Sequence, residues 1–196
     1  DESESRGLGD VYKRQRVDLV VEAFNQLGLP LLVVGDGPER ARLEAMAGPT
    51  VSLLGRQSQQ QVEALMSTCR AFVYAGLEDF GIAPVEAMAA GAPVIGLGRG
   101  GLLDTVRCAT AGMKSPTGVL FQDQTVASVV EAVRWFESSG LWRELDSALI
   151  RQWAERFRPE AFSARFERTL RQLWKAHRGR CAVAASDPAE MPGLQL

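Results

Sequence analysis

Short apolar runs rich in Val, Leu and Ile recur along the chain, each closed by glycine or another small residue: Leu31–Val34, Val51–Leu54, Ala71–Tyr74 and Pro93–Ile95. Runs this short, with almost no polar position inside them, read as strands buried on both faces, as in a parallel sheet. Between them lie amphipathic stretches of helical period. Val17, Val20, Val21 and Phe24 align in the first, and Val62, Leu65 and Met66 in a later one. Residues three and four apart share a helix face, so each stretch predicts a helix with one apolar stripe. Strand and helix alternate. This predicts an α/β class, a Rossmann-like doubly wound parallel sheet with helices on both faces.

Val119–Phe121 adds a short strand, after which the pattern turns helical. Val126–Phe136, Trp142–Phe157 and Phe162–Trp174 carry apolar residues three or four apart, and their aromatic members are expected in the core. The opening breaks the pattern: residues 1–15 are polar, hold two glycines and offer no apolar strand before the Val17 helix. A doubly wound sheet would begin with such a strand. Residues 1–15 are therefore expected to be foreign to the fold, the domain to occupy 16–178, and the small, polar residues 179–196 to be a loose tail.

Composition narrows the chemistry. A length of 196 residues, 46% apolar and 23% charged, suits one globular domain, and a formal charge of −2 provides no overall footprint for nucleic acid. The most apolar stretch, Gly81 to Gly98, carries Glu86 and two prolines, which argues against a bilayer span. The single histidine, His177, lies in an Arg-rich segment, so neither a Ser-His-Asp triad nor a histidine metal site is expected. Cys69, Cys108 and Cys181 are odd in number and far apart, which points to packing thiols in a reducing compartment and to cytoplasmic residence. Residues 151–180 hold nine Lys/Arg against three Asp/Glu. Such an excess reads first as a solvated helix face; peripheral contact with an anionic membrane, or with another domain, is the alternative.

Two segments carry candidate chemistry. Strand Leu31–Val34 runs into Gly35-Asp36-Gly37-Pro38, where the glycines allow a tight turn and Pro38 suits the first residue of a helix. That geometry presents backbone N–H groups to an anion, although a plain strand-to-helix turn has the same signature. After strand Ala71–Tyr74, a helix is expected to start at Pro84 and end at Gly91, with Glu86 in its first turn and Glu78 in the loop above the sheet edge. A carboxylate accepts two hydroxyl hydrogen bonds at once, so this pair suits a polyol at the crevice where open α/β sheets bind ligands. A dipole-stabilising Glu86 and a solvated Glu78 form the alternative.

Glu78 and Glu86, in the setting E-D-F-G-I-A-P-V-E-A-M-A-A-G-A-P-V-I, resemble the Glu-x7-Glu signature of retaining glycosyltransferases of family 4. V-V-G-D-G-P-E at 33–39, V-S-L-L-G at 51–55, A-F-V-Y-A at 71–75, G-G-L-L-D at 100–104 and T-G-V-L-F at 117–121 follow in the order of that family, so the resemblance covers Arg16 to His177. It implies a GT-B architecture, two Rossmann-like domains facing a cleft, of which this chain resembles the C-terminal, donor-binding one. The expected partners are a nucleoside diphosphate sugar and an N-terminal acceptor domain missing from this chain; neither a cofactor nor a metal is implied. Glu86 is then expected on the donor ribose, Glu78 at the donor hexose and the reacting centre, and the Phe80, Gly81 and Ile82 amides on sugar hydroxyls. Gly35 and Gly37 are expected beneath the nucleotide, with Arg56 near the base. The family clamps the donor diphosphate with an Arg and a Lys just before the first helix. Here the Lys position is Gln15, which leaves Arg16 as the native cation; Arg99 is expected to be a solvated loop residue. The implied function is transfer of a hexosyl group, mannosyl being one candidate, to a glycan or lipid-linked acceptor. A non-catalytic nucleotide-sugar module and a nucleotide-sugar epimerase are the alternatives.

Overall fold

The computed structural model describes residues 15–110 and 113–186, with side chains through 178. Two compact units divide between Glu155 and Arg156. The first alternates helices and strands: α1 (Val17–Leu27), β1 (Leu31–Val34), α2 (Arg40–Met46), β2 (Val51–Gly55), α3 (Gln59–Thr68), β3 (Phe72–Tyr74), α4 (Ile82–Ala89), β4 (Val94–Leu97), α5 (Leu102–Thr105), β5 (Gly118–Phe121), α6 (Val126–Ser138), α7 (Leu141–Glu144) and α8 (Ser147–Ala154). All strand pairs are parallel, as the alternation predicts.

The strands form two sheets. β4 is central in one, with Val94 opposite both Phe72 and Gly118, whereas β1 pairs with β2 alone. One apolar cluster joins the two sheets: Val51, Ile95, Leu97, Val119 and Phe121 pack with α1 through Val20, Val21 and Phe24 and with α6 through Val129, Val133 and Phe136. Successive strand residues point to opposite faces. Tyr74 and Val94 accordingly enter a second cluster on the other face, with Met88 of α4, Leu102 of α5 and Ile150 of α8.

That second layer reaches only β3–β5, and two expectations are corrected there. Leu31–Val34 and Val51–Leu54 are not buried on both faces: Leu32 is 53% exposed, and Val34 and Leu54 are each more than a third exposed. Nor is the sheet continuous, because β1 and β3 do not hydrogen-bond to each other. Among the described residues no strand precedes α1, so β1 and β3 each keep an edge without a ladder partner.

The helical end differs in detail. Trp142–Phe157 is broken into α7, α8 and a 3₁₀ turn at Glu155–Phe157, with Asp146 capping α8 by accepting from the Ala148 N–H at 2.7 Å. The second unit contains one long helix, α9 (Pro159–Ser186), which runs past the residue where the loose tail is expected to begin; residues 187–196 lie outside the described set. Phe136 is in the core as expected, but Trp135, Phe162, Phe166 and Trp174 are exposed. A long single helix presents its apolar stripe without a second layer of its own to cover it. Cys69 is exposed as well, with its thiol on the Met66 carbonyl.

Candidate functional site

The first group of predicted residues meets at the C-terminal end of β1. Arg16, Gly35 and Gly37 line one pocket of about 360 Å³, together with Asp18, Val34, Asp36, Glu39, Arg40 and Arg42. Arg16 precedes α1 in a left-handed conformation (φ 50°) that non-glycine residues rarely adopt. Its Nε and Nη2 donate to the two carboxylate oxygens of Asp18, at 3.0 and 3.2 Å. Partial burial alone would raise the Asp18 pKa, but the hydrogen bond and charge of Arg16, together with the Leu19 N–H and the charge of Arg42, outweigh it and hold the carboxyl below its ordinary value. A guanidinium has five N–H donors, so holding Asp18 through two of its nitrogens does not exhaust Arg16.

Gly35 sits at φ 127°, a conformation other residues resist, and donates its N–H to the Gly55 carbonyl at 2.9 Å. Asp36 accepts from the Gly37 N–H at 2.9 Å, and the Arg40 N–H reaches Gly37 O at 3.1 Å, which closes a local turn. The helix therefore begins at Arg40 rather than Pro38, and Pro38 lies in the turn before it. Arg56, the residue directly after β2, is exposed and does not line the pocket. Arg40 lies across Gly55 instead, where a Cβ would meet its guanidinium. Arg40 and Arg42 are pocket cations that the apolar pattern could not reveal, since any exposed helix face carries charges of this kind.

The second group lies on the β3–β4 connection. Glu78, half-buried in the loop after β3, accepts a 2.6 Å hydrogen bond from the Tyr74 hydroxyl, while its own carbonyl accepts from the Gly101 N–H at 2.8 Å. Gly100 and Gly101 press backbone against backbone here: a Cβ on either would strike Glu78 O, or Asp79 O and Phe80 Cα. Gly81, buried at φ 82°, turns the chain into α4, and Phe80 and Ile82 are exposed on either side of it. The helix starts at Ile82, two residues before Pro84, so Glu86 is its fifth residue and lies beyond the first turn. The macrodipole fades within that turn, which weakens the reading of Glu86 as a mere dipole partner. The Glu86 side chain is open to solvent. Arg99 pairs with Asp123 at 3.2 Å, both exposed, as befits a solvated loop.

Tyr74 is the contact the sequence reading missed. A tyrosine closing a strand looks like core, and nothing in its spacing shows that the hydroxyl turns back to a residue four positions on. Among the described residues no group of three or more His, Cys, Asp or Glu could hold a metal ion, and no helix is long and apolar enough to cross a membrane.

The chain is similar in sequence and fold to known proteins. N-acetyl-alpha-D-glucosaminyl L-malate synthase of Bacillus anthracis is 27% identical over 169 residues, 82% of this chain and 43% of that protein. Sucrose-phosphate synthase from Thermosynechococcus elongatus superposes with a TM-score of 0.67 at 27% identity, over 84% of this chain and 43% of its own. Anabaena Alr3699/HepE, solved in complex with UDP and glucose, shares the fold at 19% identity, with a TM-score of 0.65 over 81% of this chain and 45% of its own. The chain thus spans less than half the length of these proteins and matches one half of a GT-B structure. The family described as "Glycosyl transferases group 1" matches residues 8–156, which take in both candidate groups, and the chain belongs to that family.

Proposed function

We propose that this chain is the donor-binding part of a retaining glycosyltransferase that moves a hexosyl group from a nucleoside diphosphate sugar to a glycan or lipid-linked acceptor. The observation that carries the reading is the β3–β4 connection, which presents an exposed Glu86 and an anchored Glu78 within one segment of a group 1 chain. Glu86 accepts two hydrogen bonds from the donor ribose, a use for a solvent-facing carboxylate that its helix does not need. Glu78 meets the hexose. Arg16, beside the Gly35–Gly37 turn, stabilises the diphosphate as it leaves. The acceptor wall belongs to the remainder of the longer relatives, so this chain alone binds the donor without turning it over. Positioning of the acceptor is worth roughly 7–11 kcal/mol of the barrier.

Calorimetry with UDP, GDP and ADP tests the reading. One of the three should bind, and Glu86→Gln should weaken that binding by about 1.5–3 kcal/mol, because a charge-assisted acceptor is lost. Binding of none, or a Glu86→Gln variant equal to the parent, overturns it. Incubation with UDP-, GDP- and ADP-sugars and simple glycoside acceptors should give no sustained release of nucleoside diphosphate. Release that depends on both acceptor and Glu78 would show that this chain carries its own acceptor site.

A further inference from the structure

Glu78 is held at two points, and the second has no structural necessity. Its main chain is pinned by the Gly101 N–H, which already sets the loop. Its side chain is held separately by Tyr74, the last residue of β3, whose ring is buried with Met88, Val94 and Leu102 and stacks on Phe72 at 6.3 Å and 14°. The hydroxyl reaches Glu78 Oε1 only because residue 76 is glycine: a Cβ there would lie 2.8 Å from Tyr74 Cζ and Oη. Clearance, ring and carboxylate are thus matched over five consecutive residues. A phenol that only filled the core would need neither the opening at Gly76 nor a carboxylate at its tip.

We propose that Tyr74 is a positioning residue for Glu78: inserted past Gly76, its hydroxyl fixes one carboxylate oxygen so that the other is presented to the donor hexose. This rests on the reading of Glu78 as the hexose contact. Burial and the neighbouring carboxylate push ionisation of the phenol above its ordinary range, so it remains a donor at any physiological pH. Removing the hydroxyl frees the carboxylate to rotate. Affinity should then fall for the sugar-bearing donor alone.

The test uses the full chain, parent and Tyr74→Phe, which keeps the ring and its stack. Calorimetry compares UDP-glucose with UDP, GDP-mannose with GDP and ADP-glucose with ADP. In the pair that binds, Tyr74→Phe should leave the bare nucleotide within about twofold and weaken the nucleotide sugar by about tenfold, the scale of a lost hydrogen bond to a charged group. Glu78→Gln should show the same selective loss, and the double variant should lose no more than either single one. An equal loss for nucleotide and nucleotide sugar, or no loss in Tyr74→Phe while Glu78→Gln shows one, overturns the positioning role. If Glu78→Gln itself shows no selective loss, the reading of Glu78 fails instead. Independently of any ligand, the Glu78 side-chain carboxyl carbon resonance should move in Tyr74→Phe; an unmoved resonance removes the contact.

Discussion

The two halves of the sheet are built from similar sequences and end in different surroundings. β1 reads Leu-Leu-Val-Val and β4 reads Val-Ile-Gly-Leu, yet every residue of β4 is buried whereas alternate residues of β1 face solvent. β4 has a strand on either side and a helical layer on each face. β1 has one neighbour and one covered face. Apolar composition makes a segment able to be a central strand; only its neighbours make it one. The contrast extends to the candidate site: the Glu78 loop grows from the double-layered half and is held by side chain and backbone, whereas the Gly35–Gly37 turn grows from the half-covered one and is closed by its own Asp36.

The sharpest break of this contrast comes from two glycines. A Cβ at Gly118 would run into the Val94 carbonyl between β4 and β5, with rigid backbone on both sides. Gly118→Ala should cost more than about 3 kcal/mol in urea unfolding. At Gly35 a Cβ meets nothing within 4 Å and only φ resists it, so Gly35→Ala should cost about 1–2 kcal/mol. Equal losses would mean that the halves are equally tight.

Next come two aliphatic truncations measured in the same way. Ile95→Ala removes atoms from a fully buried site and should cost about 2–4 kcal/mol. Leu32→Ala, at a position more than half exposed, should remain within about 0.5–1 kcal/mol of the parent. A large loss at Leu32 would show that its face is covered in solution.

The pH-dependent effects, small near neutral pH, lie at opposite ends of the scale. Tyr74 has a raised pKa in the folded chain, so its contribution is fully present below the unfolded value near 10 and is lost as pH rises beyond it, by up to about 1.4 kcal/mol per unit. Asp18 has a lowered pKa, so its contribution is present above the unfolded value near 4 and is lost as pH falls through the folded one. Partial exposure keeps that contribution below about 1 kcal/mol. Urea midpoints across pH should therefore show a shallower alkaline fall in Tyr74→Phe and a shallower acid fall in Asp18→Asn. Unchanged profiles would detach both groups from the stability of their halves.

Local pattern by itself determined the strands, the helices and the class of the fold, because periods of 2 and 3.6 are properties of the chain and need no partner to be read. It also marked Glu78, Glu86, Gly35 and Gly37, whose residue types and spacing belong to short continuous segments, whereas Arg16 was singled out only by the family resemblance. Tertiary structure decided what depends on residues distant in sequence. It split the sheet beside β1, moved the start of α4 to Ile82 and so carried Glu86 past the first turn, brought Arg40 and Arg42 to the pocket beside Arg16, and set Gly101 against the Glu78 loop. Even the Tyr74–Glu78 contact, only four residues apart, required the fold, because a hydroxyl turns toward a carboxylate only when the core has fixed the ring and a glycine has left the path open.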